Sequence, residues 1–141
     1  EGVGLEEVRG RVQRMGLESR VILTGFRRDV PEVMAALDVL VLPSTRSEAT
    51  SQVIPQALAV GTPVVGSDVG GIPELVRDGE TGRLVPPGDS GALAQAILAS
   101  MREPERSRAM ARTGQAMILS QYTFDAAMAR TTDVYRALLE R

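Results

Sequence analysis

A nearly continuous apolar run, DVLVLP at Asp38–Pro43, is the feature that most constrains the fold of this chain. A strand with one face in water alternates apolar and polar residues, whereas a parallel strand covered on both faces is apolar throughout. The run therefore predicts a buried parallel strand. Shorter runs of similar character predict three more strands, VILT (Val21–Thr24), PVVG (Pro63–Gly66) and RLV (Arg83–Val85).

Helical segments separate and follow these strands. They are predicted at Leu5–Met15, Val30–Leu37, Ser51–Val60, Ile72–Val76, Ser90–Met101, Arg106–Ser120 and Phe124–Leu139. Strands that alternate with helices over short connections predict a Rossmann-like parallel α/β sheet covered by helices, with additional C-terminal helices. Ligands of such sheets bind at the carboxyl ends of the strands. The loops that follow Thr24, Leu42, Gly66 and Val85 are therefore the candidate site.

Composition excludes several classes of function. The 16 basic residues are all Arg, and the chain has no Lys, His, Cys, Asn or Trp. A His base, a Cys nucleophile, a Schiff-base Lys and a His or Cys metal site are therefore excluded within this stretch. The net charge of −2 and the aromatic content of 3% argue against a nucleic-acid partner, since such proteins usually carry a basic patch and stacking aromatics.

The loop after the buried strand, PSTRSEATS, carries one acid among many hydroxyl groups. Glu48 lies among serine and threonine residues and just before the predicted helix at Ser51–Val60. Amides at the start of a helix can bind a phosphate or a carboxylate. From the residues alone, a Ser/Thr helix cap with a solvated Glu48 is the favoured interpretation, and an anion site is the alternative.

Pro55 and two glutamines distinguish the helix that follows. A helix that began right after Ser51 would place Pro55 where its missing N–H and its ring disturb the first turn, so the helix begins later or is distorted there. Gln52 and Gln56, four residues apart, share one face. That face suits a hydroxyl-rich ligand, and simple solvent exposure explains it equally well.

The glycine turn SDVGGIPE differs from a dinucleotide fingerprint. Gly70 and Gly71 allow a close approach of backbone to a ligand, or only a tight turn. The G-x-G-x-x-G pattern with a downstream acid is absent, so a dehydrogenase is not expected. The segments DGETG and PPGD are interpreted as turns.

Taken in order, these segments resemble a known family. The series VILTGF…LDVLVLPSTRSEATSQVIPQALAVGTPVVGSDVGGIPELVRDGETGRLVPPGD is similar to the donor-binding half of family 4 retaining glycosyltransferases, which have the GT-B fold. The likeness extends from Gly16 to the C-terminal YTFDAAMARTTDVYRALL. It implies a nucleotide-sugar at the carboxyl ends of the strands, facing a separate N-terminal acceptor domain.

The resemblance also assigns site residues. It implies that Glu48 contacts the donor sugar as the catalytic acid of the loop, and that Ala49, Thr50 and Ser51 lie near the sugar and its phosphates. Gln56, eight residues after Glu48, occupies the position that binds the ribose hydroxyls. Gly25, Phe26 and Arg27 are expected to line the base.

Three departures from the family pattern matter. Gln56 stands where the family usually has a second Glu. Its side-chain amide would accept a hydrogen bond from one ribose hydroxyl and donate one to the other, without the charge of a carboxylate. We expect Gln56 to weaken the binding free energy of the nucleotide by on the order of 1 kcal/mol relative to Glu. Ala49 also replaces a common Gly.

The first strand-helix-strand unit of the donor domain, with its phosphate-neutralising Arg and Lys, is expected to be missing, which leaves VILT without its natural neighbour. VILT would then pair with another copy, pair with DVLVL, or be incompletely stable.

The function expected from the resemblance is that of a glycosyltransferase fragment. Residues 1–141 would form a single partial domain that binds a nucleotide-diphosphate sugar, with no metal and no cofactor. The full-length enzyme would transfer the sugar, as a hexosyltransferase, to a glycan or lipid-linked acceptor held by the missing N-terminal domain. The fragment alone is expected to be inactive and able to self-associate. A cytoplasmic enzyme, working free or at the inner face of the membrane, is expected.

Two alternatives stay open at this point. One is a GT-B-fold nucleotide-sugar epimerase, against which the absence of His argues. The other is a non-catalytic nucleotide-sugar-binding or regulatory module, for which Gln56 is mild support.

Overall fold

The computed structural model describes residues 4–46 and 51–140. The chain divides into two compact units, Glu1–Val30 and Pro31–Arg141. Each unit is described by itself.

The first unit contains helix α1, Leu5–Arg14, and the segment that follows it. The helix ends near Gly16, whose φ of 63° is the left-handed conformation expected of a residue just after a helix. The prediction of a strand at Val21–Thr24 was wrong, because these residues form no strand. A strand is stable only when its N–H and C=O groups pair with a neighbour, and neither DVLVL nor any other described segment supplies one.

The second unit is built around a three-stranded parallel sheet. Its strands are β1 (Leu40–Leu42), β2 (Val64–Ser67) and β3 (Arg83–Val85), in the order β1-β2-β3. Val41 is aligned with Val65, and Val65 with Arg83. All four residues of β2 are buried, the pattern of a central parallel strand. The run DVLVLP, which predicted a buried strand, forms β1 at the edge of the sheet, where Leu40 is buried and Val41 and Leu42 are half-buried.

Six helices accompany this sheet among the described residues. They are α2 (Val30–Ala35), α3 (Val53–Ala59), α4 (Ile72–Leu75), α5 (Ser90–Arg102), α6 (Pro104–Gln121) and α7 (Phe124–Leu139). The α/β class with a parallel sheet covered by helices is confirmed. Asp89 caps α5, since its carboxylate accepts from the amide of Ala92 at 2.8 Å.

The core lies where α3 and α6 pack beside the sheet. Ile54, Leu58 and Val65 are fully buried. Gly114 of α6 allows the close approach of Leu58, because a Cβ at Gly114 would lie 2.7 Å from Leu58 Cδ2. The Gln115 side chain adds a hydrogen bond of 2.8 Å to the carbonyl oxygen of Ala59, so α6 fixes the end of α3.

The connection between α4 and β3 depends on one buried hydroxyl. Thr81 is fully buried; its Oγ1 donates to the carbonyl oxygen of Leu75 at 2.7 Å and accepts from the amide of Arg77 at 2.8 Å. Gly82 follows, and a Cβ there would lie 2.8 Å from the carbonyl oxygen of Val64. A small residue is therefore required where this turn crosses β2.

An ion-pair cluster holds the α5–α6 corner to the start of β3. Arg83 Nη2 donates to Glu103 at 2.9 Å, and Arg106 Nη1 donates to the same carboxylate oxygen at 3.3 Å. The hydrogen bond from Arg83, with the charge of both arginines, holds the pKa of Glu103 below its ordinary value. Within residues 4–46 and 51–140, no helix is both long and apolar enough to cross a membrane.

Candidate functional site

The carboxyl ends of the three strands meet at one edge of the sheet. β1 ends at Leu42, β2 at Ser67 and β3 at Val85, and the strands are parallel and adjacent. A cavity of about 190 Å³ opens at this edge; Thr45, Ser67 and Asp89 line it together with Pro43 and Val85. The expected location of a ligand site at the strand ends therefore coincides with an actual cavity.

The loop after β1 is only partly described. Thr45 is exposed and Ser51 is half-buried. Glu48, the predicted catalytic residue, and Ala49 and Thr50, predicted donor contacts, lie outside the described residues. Their roles therefore stay predictions.

Helix α3 begins later than Ser51, which is the first of the two options that Pro55 left open. Gln52 is its N-cap residue and makes no side-chain capping hydrogen bond. Pro55 then falls at the third helical position, where a missing N–H costs no intrahelical bond. Among the described residues, the amides of Val53 and Ile54 make no backbone hydrogen bond, and they lie at the end of α3 that follows the β1 loop.

Gln56 lies one turn into α3 on an exposed surface. The neighbouring Ala57 and Leu58 are fully buried, which fixes the helix rotation and holds Gln56 away from the core. Its side-chain amide has no hydrogen-bond partner in the described part of the chain. Ser51 and Gln56 thus belong to one short stretch at the start of α3, and both are available to a ligand.

The remaining predicted donor contacts belong to the first unit. Gly25 has a φ of 63°, and the Phe26 side chain is 84% exposed. Arg27 binds the Asp29 carboxylate through two hydrogen bonds, which raise the pKa of Arg27 and lower that of Asp29. Their grouping with Gln56 around one ligand stays a prediction.

Sequence reasoning missed three residues at the strand ends. Thr45, Ser67 and Asp89 line the same cavity, although Ser67 and Asp89 were assigned to turns. The signal was present, because each lies at or soon after the carboxyl end of a strand in a parallel sheet. No group of three or more His, Cys, Asp or Glu side chains placed to hold a metal occurs among the described residues.

The fold and the strand-end site define the class of protein. The profile of glycosyl transferases group 1 matches residues 2–103. The chain belongs to this family, and the structures it resembles are GT-B glycosyltransferases, which confirms the resemblance seen in the sequence.

Several relatives show how the likeness is distributed. The 2-deoxystreptamine N-acetyl-D-glucosaminyltransferase of Streptomyces fradiae is 36% identical over all of this chain and 34% of its own length. Alr3699/HepE of Anabaena, solved in complex with UDP, superposes with a TM-score of 0.83 at 34% identity, over 97% of this chain and 37% of that one. Sucrose-phosphate synthase of Thermosynechococcus elongatus superposes with a TM-score of 0.89 at 33% identity, over 99% of this chain and 35% of that one. This chain thus spans about a third of the length of these relatives.

Proposed function

We propose that this chain is the donor-binding part of a retaining, metal-independent hexosyltransferase. It binds a nucleotide-diphosphate sugar at the carboxyl ends of β1–β3 and at the start of α3. The full-length enzyme transfers the sugar to a glycan or lipid-linked acceptor. Because the chain spans about a third of its relatives, the acceptor contacts belong to the rest of that enzyme.

The observation that carries this proposal is the cavity at the carboxyl ends of the strands. The loop after β1 leads from this edge to the start of α3, and Gln56 is exposed one turn into that helix. Helix amides bind diphosphate oxygens through hydrogen bonds and the helix dipole. The superposition with Alr3699/HepE, a UDP complex, supports a uridine nucleotide as the first donor to test.

In the proposed mechanism, binding and electrostatics replace covalent catalysis. As the bond from the anomeric carbon of the sugar to the diphosphate breaks, an acceptor hydroxyl oxygen bonds to that carbon and its proton passes to the leaving diphosphate. The α3 amides hold the diphosphate, and Glu48 orients the sugar through its hydroxyl groups. Preorganised donors that stabilise a leaving group's developing charge supply much of the rate enhancement in such sites. Gln56 accepts from one ribose hydroxyl and donates to the other.

A cytoplasmic location, free or at the inner face of the membrane, fits a nucleotide-sugar donor and a lipid-linked acceptor. We expect the isolated chain to be inactive, because the acceptor contacts are elsewhere. The comparisons do not favour the two alternatives, an epimerase and a regulatory module. The relatives described above include an N-acetyl-D-glucosaminyltransferase and a sucrose-phosphate synthase.

The experiment that tests the proposal measures transfer by the full-length protein. Glu48→Ala should lower kcat at least about tenfold, while Glu80→Ala, an exposed acid between α4 and β3, should leave it unchanged. The anomeric configuration of the product, read by NMR, should match that of the donor. An unchanged rate in Glu48→Ala removes Glu48 from the site, and inversion of configuration contradicts the retaining mechanism.

A further inference from the structure

A second cavity lies at the opposite edge of the sheet, where the strands begin. Its volume is about 640 Å³, within the usual range for small-molecule sites. Asp38 and Pro63, which precede β1 and β2, line it with the ends of α2, α3 and α5 and one face of α6. We call it the amino-edge groove.

One wall of the amino-edge groove is apolar and exposed. Leu37 after α2, Val60 after α3 and Met101 near the end of α5 are 39%, 37% and 59% exposed. Single exposed apolar residues are ordinary on a protein surface. Here, three from separate elements line one concave surface, a pattern typical of binding sites.

The other wall is basic and rigid. Arg108 and Arg112 are four residues apart on α6 and so share a face. Gln115, one turn further on, fixes that face to the end of α3 through its bond to Ala59. Arg108 pairs with Glu105 at 2.9 Å, whereas Arg112 has no ion pair or hydrogen bond with any described residue.

Arg112 is the group of the groove that favours an anion. Arg108 is paired with Glu105, so Arg112 is the guanidinium group of the described lining residues that has no ion pair. A guanidinium group binds phosphate or carboxylate through paired N–H donors and carries its charge at every physiological pH. An uncompensated Arg112 beside an apolar wall matches a ligand that has both an anionic and an apolar part.

We propose that the amino-edge groove binds a small organic anion of the alkyl phosphate class. The anionic group contacts Arg112 and Arg108, and the apolar part packs on Leu37, Val60 and Met101. Since this groove lies at the edge opposite the strand carboxyl ends, its ligand and the donor occupy separate sites. The proposal does not depend on the proposed transferase activity.

Octyl phosphate is the probe, titrated below its micelle concentration into the full-length protein by calorimetry. One saturable site is expected, with an affinity at least about tenfold higher than that for inorganic phosphate, because the alkyl chain loses its contact with water. Arg112→Ala should weaken binding about tenfold, and Met101→Gln at least about threefold. Arg136→Ala, an exposed arginine of α7, is the matched control and should change nothing. Arg112→Lys keeps the charge and should retain more affinity than Arg112→Ala, with thermal unfolding confirming that each variant is folded.

Three results would overturn the proposal. They are the absence of a saturable site, equal affinities for octyl phosphate and inorganic phosphate, and equal weakening by Arg136→Ala. Binding to phosphatidylglycerol vesicles without binding of monomeric octyl phosphate would overturn it too, and would identify the groove as a membrane contact.

Discussion

The amide of Gln56 donates to the carbonyl oxygen of Gln52 over 3.3 Å, and this bond is the first of helix α3. It can be the first because Pro55, one residue earlier, has no N–H to donate. The proline thus sets where the helix begins and places Gln56 directly after that start. The side-chain amide of Gln56 is exposed there.

Gln56→Glu should tighten nucleotide binding by the full-length protein. A carboxylate accepts from both ribose hydroxyls with charge assistance, for a gain on the order of 1 kcal/mol, or about fivefold in Kd. Calorimetric titration of the nucleotide measures it, with Gln95→Glu on α5 as the matched control. A collapse in affinity on Gln56→Glu would show that Gln56 does not take the ribose role.

Thr81→Val should destabilise the second unit, although the two side chains have nearly the same shape. The substitution leaves the Arg77 amide and the Leu75 carbonyl oxygen without their partner, at a cost of about 1–3 kcal/mol for each group that is buried. Thr81→Ser keeps the hydroxyl and should cost less than half as much. Urea unfolding measures both, and equal losses for the two variants would show that the hydroxyl contributes nothing.

Gly82→Ala should also destabilise the fold, by about 1–3 kcal/mol through overpacking. Its Cβ would lie 2.8 Å from the Val64 carbonyl oxygen, a backbone atom of the central strand that cannot move away freely. Gly10→Ala on α1 is the control, because its Cβ would meet only the end of the Arg14 side chain, at 3.3 Å. Unfolding curves that place Gly82→Ala at or above the wild-type stability would contradict the predicted contact.

Acid should weaken the contact between Glu103 and Arg83. The pKa of Glu103 is lowered in the folded protein, first by the hydrogen bond from Arg83, so the ionised form stabilises the fold above the unfolded-state pKa. That contribution disappears as pH falls through the lowered folded pKa, below the ordinary value of 4.5. The unfolding free energies of wild type and Glu103→Gln should therefore converge as pH falls below about 4.5.

Chemical unfolding at a series of pH values measures this convergence. Glu7→Gln on α1 is the control, since Glu7 takes no part in the Arg83 cluster. If the difference in unfolding free energy between wild type and Glu103→Gln stays constant from neutral to acid pH, the predicted ionic contribution of Glu103 is contradicted.

Much of the fold was predictable because its signals are local. Arg83–Val85 and Phe124–Leu139 have the predicted bounds. The late start of α3 is one of the two options that the chemistry of Pro55 left open. Each of these features depends on residues within one helical turn of it or on a single apolar run. The local sequence is therefore enough to predict it.

The errors and omissions depend on distant contacts. Val21–Thr24 has the composition of a strand, but a strand also needs a partner, which composition does not reveal. The close approach of Gly82 to Val64 and the grouping of Thr45, Ser67 and Asp89 arise only when the strands are side by side. The amino-edge groove likewise joins side chains from four segments distant in sequence.

Calorimetric titration of UDP, GDP and ADP into the full-length protein tests the central claim most directly. Donor binding at the strand ends predicts one saturable site for one of these nucleotides, most readily UDP. Gln56→Glu should shift its affinity, while the Gln95→Glu control should not. Failure of all three nucleotides to bind would contradict the assignment of this chain as a donor-binding domain.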